Sequence, residues 1–288
     1  MPKQSMPYSL RRHEAVGPGL IRILNAMAKS ARDLAAQPES QLPDSIHDLR
    51  TLIKRFRAYL WFFRPSLGKV RYTHSKVVLR KAAHRLGQAR DLHAIQSALI
   101  KAASPEAHEK HLQALVRVSQ AFAQHEASRQ KFDGDSRGPL QKTAAVVVQV
   151  VEKTIRAAKR TDRKWPSPKH RVKKAFQLAR KVRKKALRKN ELPLVHEWRK
   201  KTKKLLYVLQ LTVGFPTLEM SHCLEKVDKL QEILGDFQDG VVAENHLRAH
   251  LSDVDAADLA RALHLLKKKR KILLKEAQRC WGSMIRQL

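Results

Sequence analysis

A basic motif is written twice in this chain, and the repetition constrains the fold more than any other feature. The first copy runs His47-Asp48-Leu49-Arg50-Thr51-Leu52-Ile53-Lys54-Arg55-Phe56, the second His196-Glu197-Trp198-Arg199-Lys200-Lys201-Thr202-Lys203-Lys204-Leu205. Each is followed at nearly the same distance by Leu-Gly-x-x-x-Asp, as Leu86, Gly87 and Asp91 and then as Leu234, Gly235 and Asp239. Two such pairs in 288 residues predict a duplication of whole halves, each a helical unit presenting the same cationic surface.

Turn and cap signals separate apolar stretches of helical period, and few runs alternate as a strand would. The chain is therefore expected to be all-α, with helices near 8–36, 45–63, 68–102, 105–131, 139–162, 168–189, 193–213, 218–250 and 256–286. The motif offset pairs the first four helices with the last four. It leaves 139–162 as a connector and divides the chain near Gly138, into a first half 1–137 and a second half 138–288. Ser45-x-x-Asp48 fits a capping box and Pro193 suits a first helical position, which places both motif histidines in or beside a first turn. Unpaired backbone N–H groups and the positive end of the helix dipole favour an anion there.

On a helix, at ~100° per residue, His47, Arg50, Lys54 and Arg57 share about a quarter of the circumference. Leu49, Leu52, Phe56, Leu60 and Phe63 gather on the other side, so one face is apolar and one cationic. In the second copy His196, Arg199 and Lys203 repeat the stripe, Lys200 and Lys204 flank it, Lys204 matches Arg55, and Leu206 stands where the first copy has Arg57. Cations one turn apart, about 5.4 Å along the axis, can engage successive groups of a linear polyanion. Arg offers bidentate forks, Lys a mobile point charge, and a phosphate beside His pushes the ring toward its charged form.

Gly87 and Gly235 fall inside expected helices, where Gly costs roughly 1 kcal/mol against Ala and suggests close helix approach. Asp91 and Asp239, four residues on, share that face and are expected to orient Arg50 and Arg199, or a nearby Lys. Arg80 lies on the same face as Asp91 and joins the anion site. Its counterpart is Asp228, so the first half, with Arg57 and Arg80, is expected to hold the anion more firmly.

The composition narrows the partner. With 59 Lys and Arg against 26 Asp and Glu, the net charge of +33 far exceeds what solubility requires and calls for something strongly anionic. A hydrophobic content of 43% is that of a chain that folds. The basic blocks Lys169–Lys189 and Lys267–Lys271 carry apolar residues at helical spacing and add general positive potential. Cys223 and Cys280 have no metal-ligand spacing, so neither a disulfide framework nor zinc is expected, and a reducing cytosol fits. The polar start is no secretion signal, and the longest uncharged apolar stretch, Thr143 to Val151, falls short of the ~20 residues that span a bilayer, so no membrane insertion is expected.

There is no P-loop, no Gly-x-Ser-x-Gly, no His-Glu-x-x-His and no carboxylate pairing for two metals, which favours binding over turnover, without metal or cofactor. Charge alone leaves a nucleic-acid binder open. Aromatics are only 6% of the chain, with Trp61 on the basic stripe as the exception, so stacking platforms for bases are few. Phosphotransfer through His47 or His196 lacks an accompanying base, metal or nucleotide site.

Taken together, His47-x-x-Arg50-x-x-x-Lys54-Arg55-x-Arg57, Leu86-Gly87-x-x-Arg90-Asp91, His196-x-x-Arg199-x-x-x-Lys203-Lys204-x-x-Tyr207 and Leu234-Gly235-x-x-x-Asp239 resemble the CHAD family, the conserved histidine α-helical domain. The resemblance implies two four-helix bundles related by pseudo-two-fold symmetry, with basic residues along a central groove or pore. It also implies binding of inorganic polyphosphate and association with polyphosphate granules in the cytoplasm. Carried onto this chain, it names His47, Arg50, Lys54, Arg55, Arg57, His196, Arg199, Lys200, Lys203 and Lys204 as phosphate-binding residues.

Overall fold

The structure is a computed structural model that describes residues 7–86, 91–103, 109–130, 137–215, 221–250 and 254–285. Among these residues there is no strand. The helices are α1 (Val16–Ala35), α2 (Leu42–Phe62), α3 (Arg64–Leu67), α4 (Lys69–Arg85), α5 (Asp91–Ala102), α6 (Glu109–Gln130), α7 (Arg137–Arg160), α8 (Pro168–Lys189), α9 (Leu192–Thr212), α10 (Ser221–His250) and α11 (Ala256–Ile285). The expected all-α class holds. The chain forms two compact units, one of residues 1–87 with 135–227 and one of 88–134 with 228–288. Each unit therefore combines a segment of the half 1–137 with a segment of the half 138–288.

In the first unit, α2 packs against α1, α4, α7 and α9. Neighbours on every side explain why each residue from Ala58 to Phe63 is buried, where the sequence pattern had suggested two faces. Phe62 meets Phe63 edge-on at 4.8 Å between ring centroids, and Phe63 meets Trp165 at 5.9 Å. Burial of each phenylalanine contributes about 1.5–3 kcal/mol. The helix expected as a connector, α7, instead packs along α1 and α4 and buries Leu140, Val147, Val150 and Val151. The basic block forms α8, started by Ser167, whose Oγ accepts from the His170 N–H, and Pro168. It stops at Asn190 in the left-handed region, φ 53°, with its N–H on the Ala186 carbonyl at 2.9 Å. After that short turn, α9 packs back along α8 as a helical hairpin.

Residues 7–15, expected to open the first helix, form a strap. The Leu10 N–H donates to the Leu211 carbonyl at 2.8 Å, and the Tyr59 hydroxyl donates to the Tyr8 carbonyl at 2.9 Å. Arg22 grips the Glu14 carboxylate with two bonds of 2.7 and 2.8 Å and donates to the Ser9 carbonyl at 2.8 Å. Leu10 is fully buried. These long-range partners take up backbone groups that a helix would have paired internally. The strap needs glycine opposite it: a Cβ on Gly214 would lie 2.2 Å from the Leu10 carbonyl oxygen.

The second unit packs α11 against α5 and α6. Its core joins Ile95 and Leu99, Leu115, Val118 and Phe122, Leu247, and Leu265 and Leu266. Asp255 caps α11 by accepting from the Asp258 N–H at 2.9 Å. The buried Asp258 carboxylate receives Arg117 at 2.5 and 2.8 Å and Arg261 at 3.0 Å, and those bonds hold it below the usual carboxylate range.

Candidate functional site

The motif histidines lie deeper in their helices than the local patterns suggest. A 3-10 turn at Glu39–Gln41 leads directly into α2, which starts at Leu42 with Pro43 in its first turn. Ser45 is therefore a buried helical residue and not a cap, and His47 falls in the second turn, exposed. Likewise α9 starts at Leu192, Pro193 takes its second position, and His196 lies beyond the first turn. Neither helix has a side-chain cap bond at its start.

At the other end of these helices the two motif copies converge, because α2 and α9 pack together. The Arg55 guanidinium of the first copy lies over Tyr207 of the second, 5.5 Å from its ring centroid, and over Tyr8 of the strap at 4.9 Å. The Lys204 ammonium of the second copy lies over Trp61 of the first at 5.0 Å. Arg55 and Lys204 occupy equivalent motif positions, so each copy lends its cation to an aromatic ring of the other. Lys203 also faces Tyr207, at 5.9 Å.

Around Lys204 the structure gathers a cationic cluster from four helices: Arg57 on α2, Lys76 and Arg80 on α4, Arg171 on α8, and Lys201 beside Lys204 on α9. Burial first, and then the charges of Lys201, Lys76, Arg57 and Arg171, push the Lys204 ammonium down to about 8. The Arg171 guanidinium is pushed down to about 10 by burial, with Arg64 adding to the effect. Arg57 is lowered too, chiefly by burial and in part by Arg80. Tyr72, under the Arg64 guanidinium at 5.7 Å, has its hydroxyl raised by burial, opposed by Arg64, Arg57 and Arg171. Several cations held out of water beside one another repel, and an anion entering among them would offset the cost of burial and neutralise the repulsion.

Of the expected residues, the cluster unites Arg57 and Arg80 of the first half with Lys204 of the second. It adds Arg171, Lys76 and Lys201, which the stripe had not selected. Arg171 could have been found, since it shares a helix face with the small residues Ala175 and Ala179 and is buried with them. Arg50 donates to the Leu86 carbonyl at the end of α4, at 3.4 Å, and this bond ties α2 to α4. Lys200 pairs with Glu197 at 2.8 Å on the exposed side of α9. Lys54, His196 and Arg199 are half-buried along the same two helices. Gly87 and the side chain of Asp91 lie outside the described residues. Asp239, on α10 in the second unit, lines a small recess with Lys101, Asp236, Lys269 and Arg270. Trp61, the one aromatic on the basic stripe, is buried beneath Arg171 and Lys204 and offers no exposed face to a base.

Among the described residues no group of His, Cys, Asp and Glu could hold a metal ion, and no helix is long and apolar enough to cross a membrane. No curated protein sequence matches the chain. The fold is similar to that in the crystal structure of the CHAD domain from the plant Ricinus communis, with a TM-score of 0.60 over 99% of this chain and 96% of that one, at 17% sequence identity. The model of the CHAD domain matches residues 22–248, a span that holds both motif copies and every helix of the cationic cluster. A match over that much of the chain, on a helical fold of the same kind, makes this protein a member of the CHAD domain family.

Proposed function

We propose that this CHAD domain binds inorganic polyphosphate, without turning it over, at the cluster formed by Arg57, Lys76, Arg80, Arg171, Lys201 and Lys204. One observation carries the reading. Lys204 is held out of water, and the positive charges of Lys201, Lys76, Arg57 and Arg171 all act on it, an arrangement that costs free energy until a polyanion arrives. In this reading His47, Arg50 and Lys54 on α2, with His196, Arg199, Lys200 and Lys203 on α9, extend the cluster into a basic groove for a longer chain. The exchange of cations between motif copies supports a pseudo-two-fold relation of the duplicated halves. Association with polyphosphate granules in the cytoplasm follows from such binding.

Nucleic acid is the competing partner, and the burial of Trp61 weighs against it. Calorimetric titration with long-chain polyphosphate, at several salt concentrations and against RNA at equal phosphate, tests the choice. Polyphosphate should bind with a steep salt dependence by counterion release. Equal displacement by RNA, or unchanged affinity in a Lys76→Glu/Arg80→Glu variant, would defeat the proposal.

A further inference from the structure

An open groove of about 820 Å³ lies in the first unit between the start of α4 and the end of α7. Its walls carry Lys69, Arg71 and His74 from α4, Lys153, Arg156 and Arg160 from α7, and Arg163 from the loop that follows, while Asp162 is the only acid among its lining residues. These lysines and arginines and His74 are all exposed, and none forms an ion pair with another described residue.

The groove is a different surface from the Lys204 cluster. At ~100° per residue, Arg71 and His74 project from the opposite side of α4 to Lys76 and Arg80. On α7, Lys153-x-x-Arg156-x-x-x-Arg160 repeats the spacing of His47-x-x-Arg50-x-x-x-Lys54, so three cations line one side of the helix over about 10 Å. The walls are fixed to each other: the Ser66 hydroxyl donates to the Lys164 carbonyl at 2.7 Å, and the Thr161 hydroxyl donates to the Ser66 carbonyl at 3.0 Å. Gly68, at φ 85°, lets the chain turn beneath Arg163; a Cβ there would stand 3.3 Å from its Nη1. No Phe, Tyr or Trp lines the groove, and the imidazole of His74 is its only ring, so it offers little for a base to stack on.

We infer that this groove is a second phosphate site, which takes a run of condensed phosphate groups carrying no base. The ligand class rests on the function proposed above; the location does not. Two stations on opposite sides of α4 would let one protein hold two short condensed phosphates.

Tripolyphosphate titrated calorimetrically into the full chain tests this. The wild type should give two binding events, and an Arg156→Glu/Arg160→Glu variant should lose one of them, with at least about tenfold weaker binding at that site. An Arg156→Lys/Arg160→Lys variant should keep both, and circular dichroism melts should match the wild type throughout. The inference is overturned if the glutamate variant binds like the wild type, if the wild type binds no tripolyphosphate, or if oligouridylate at equal phosphate displaces the ligand from the groove. The Lys76→Glu/Arg80→Glu variant keeps the two ideas apart. Its loss of the other event alone supports both, and wild-type binding in it strikes the central reading while the groove result stands.

Discussion

The Arg171 guanidinium lies over the indole of Trp61, its carbon 3.9 Å from the ring centroid, and donates to the Trp61 carbonyl. The residue four places after Trp61 is Pro65, which has no N–H, so this carbonyl loses its helical partner and Arg171 replaces it. One residue thus closes the end of α2 and supplies a buried cation to the cluster. Because Trp61 also carries Lys204 on its ring, removing the indole should release both cations. Trp61→Ala is expected to destabilise the protein by about 3–5 kcal/mol in urea unfolding followed by circular dichroism. A loss below about 1 kcal/mol would mean that the ring does not hold the cluster.

Lys204 should show the opposite balance between stability and function. Its ammonium is desolvated and surrounded by like charge, so an apolar side chain of similar length removes a penalty. Lys204→Met is expected to leave stability unchanged or raise it by about 1–2 kcal/mol, a few degrees in melting temperature, while polyphosphate affinity falls about tenfold. A variant that melts lower and binds as before would assign Lys204 a structural role only.

The same residue sets a pH window. Its ammonium titrates at about 8, below its ordinary 10.5, because of burial and then of Lys201, Lys76, Arg57 and Arg171. Between those values the unfolded chain holds the proton that the native state has lost. The cost to folding is therefore full below about 8 and fades as pH rises toward 10.5. Polyphosphate favours the charged form, so its affinity should be high below about 8 and fall as pH climbs through it. The falling limb should flatten in Lys204→Arg, which stays charged. Strengthening from about pH 7.5 to 6, lost in His47→Ala/His196→Ala, would mark the histidines instead, whose ordinary pKa is near 6.5. Calorimetry across this range separates the two.

The helices were legible because apolar period and turn residues are local signals. Lys204 stood out because it repeats the position of Arg55, and Arg57 and Arg80 because each shares a helix face with a motif residue. What the sequence concealed was decided at long range. Arg171 stands in a run of lysines and arginines, and its burial depends on Trp61 on a different helix. The division at Gly138 followed the repeat, whereas compactness follows packing, and α7 packs on α1 and α4. The capping box at Ser45 was a correct local pattern overridden by a 3-10 turn that starts the helix earlier.

The strap shows that long-range control most directly, and it can be tested at one atom. A Cβ at Gly214 would stand 2.2 Å from the Leu10 carbonyl oxygen, a backbone atom that cannot rotate away as a side chain could. Gly214→Ala must therefore push the strap off α9 and break the Leu10–Leu211 bond. With it go the fully buried Leu10 side chain, worth about 1.5–3 kcal/mol, and the contact of Tyr8 with Arg55. Hydrogen exchange should then quicken at the Leu10 amide, and trypsin should cut sooner at the exposed Arg11 and Arg12. If Tyr8 helps to aim Arg55, polyphosphate binding should weaken by a few-fold as well, and Tyr8→Phe, which keeps the ring, should not reproduce that weakening. An alanine variant with wild-type exchange and cleavage would show that the close approach is not needed.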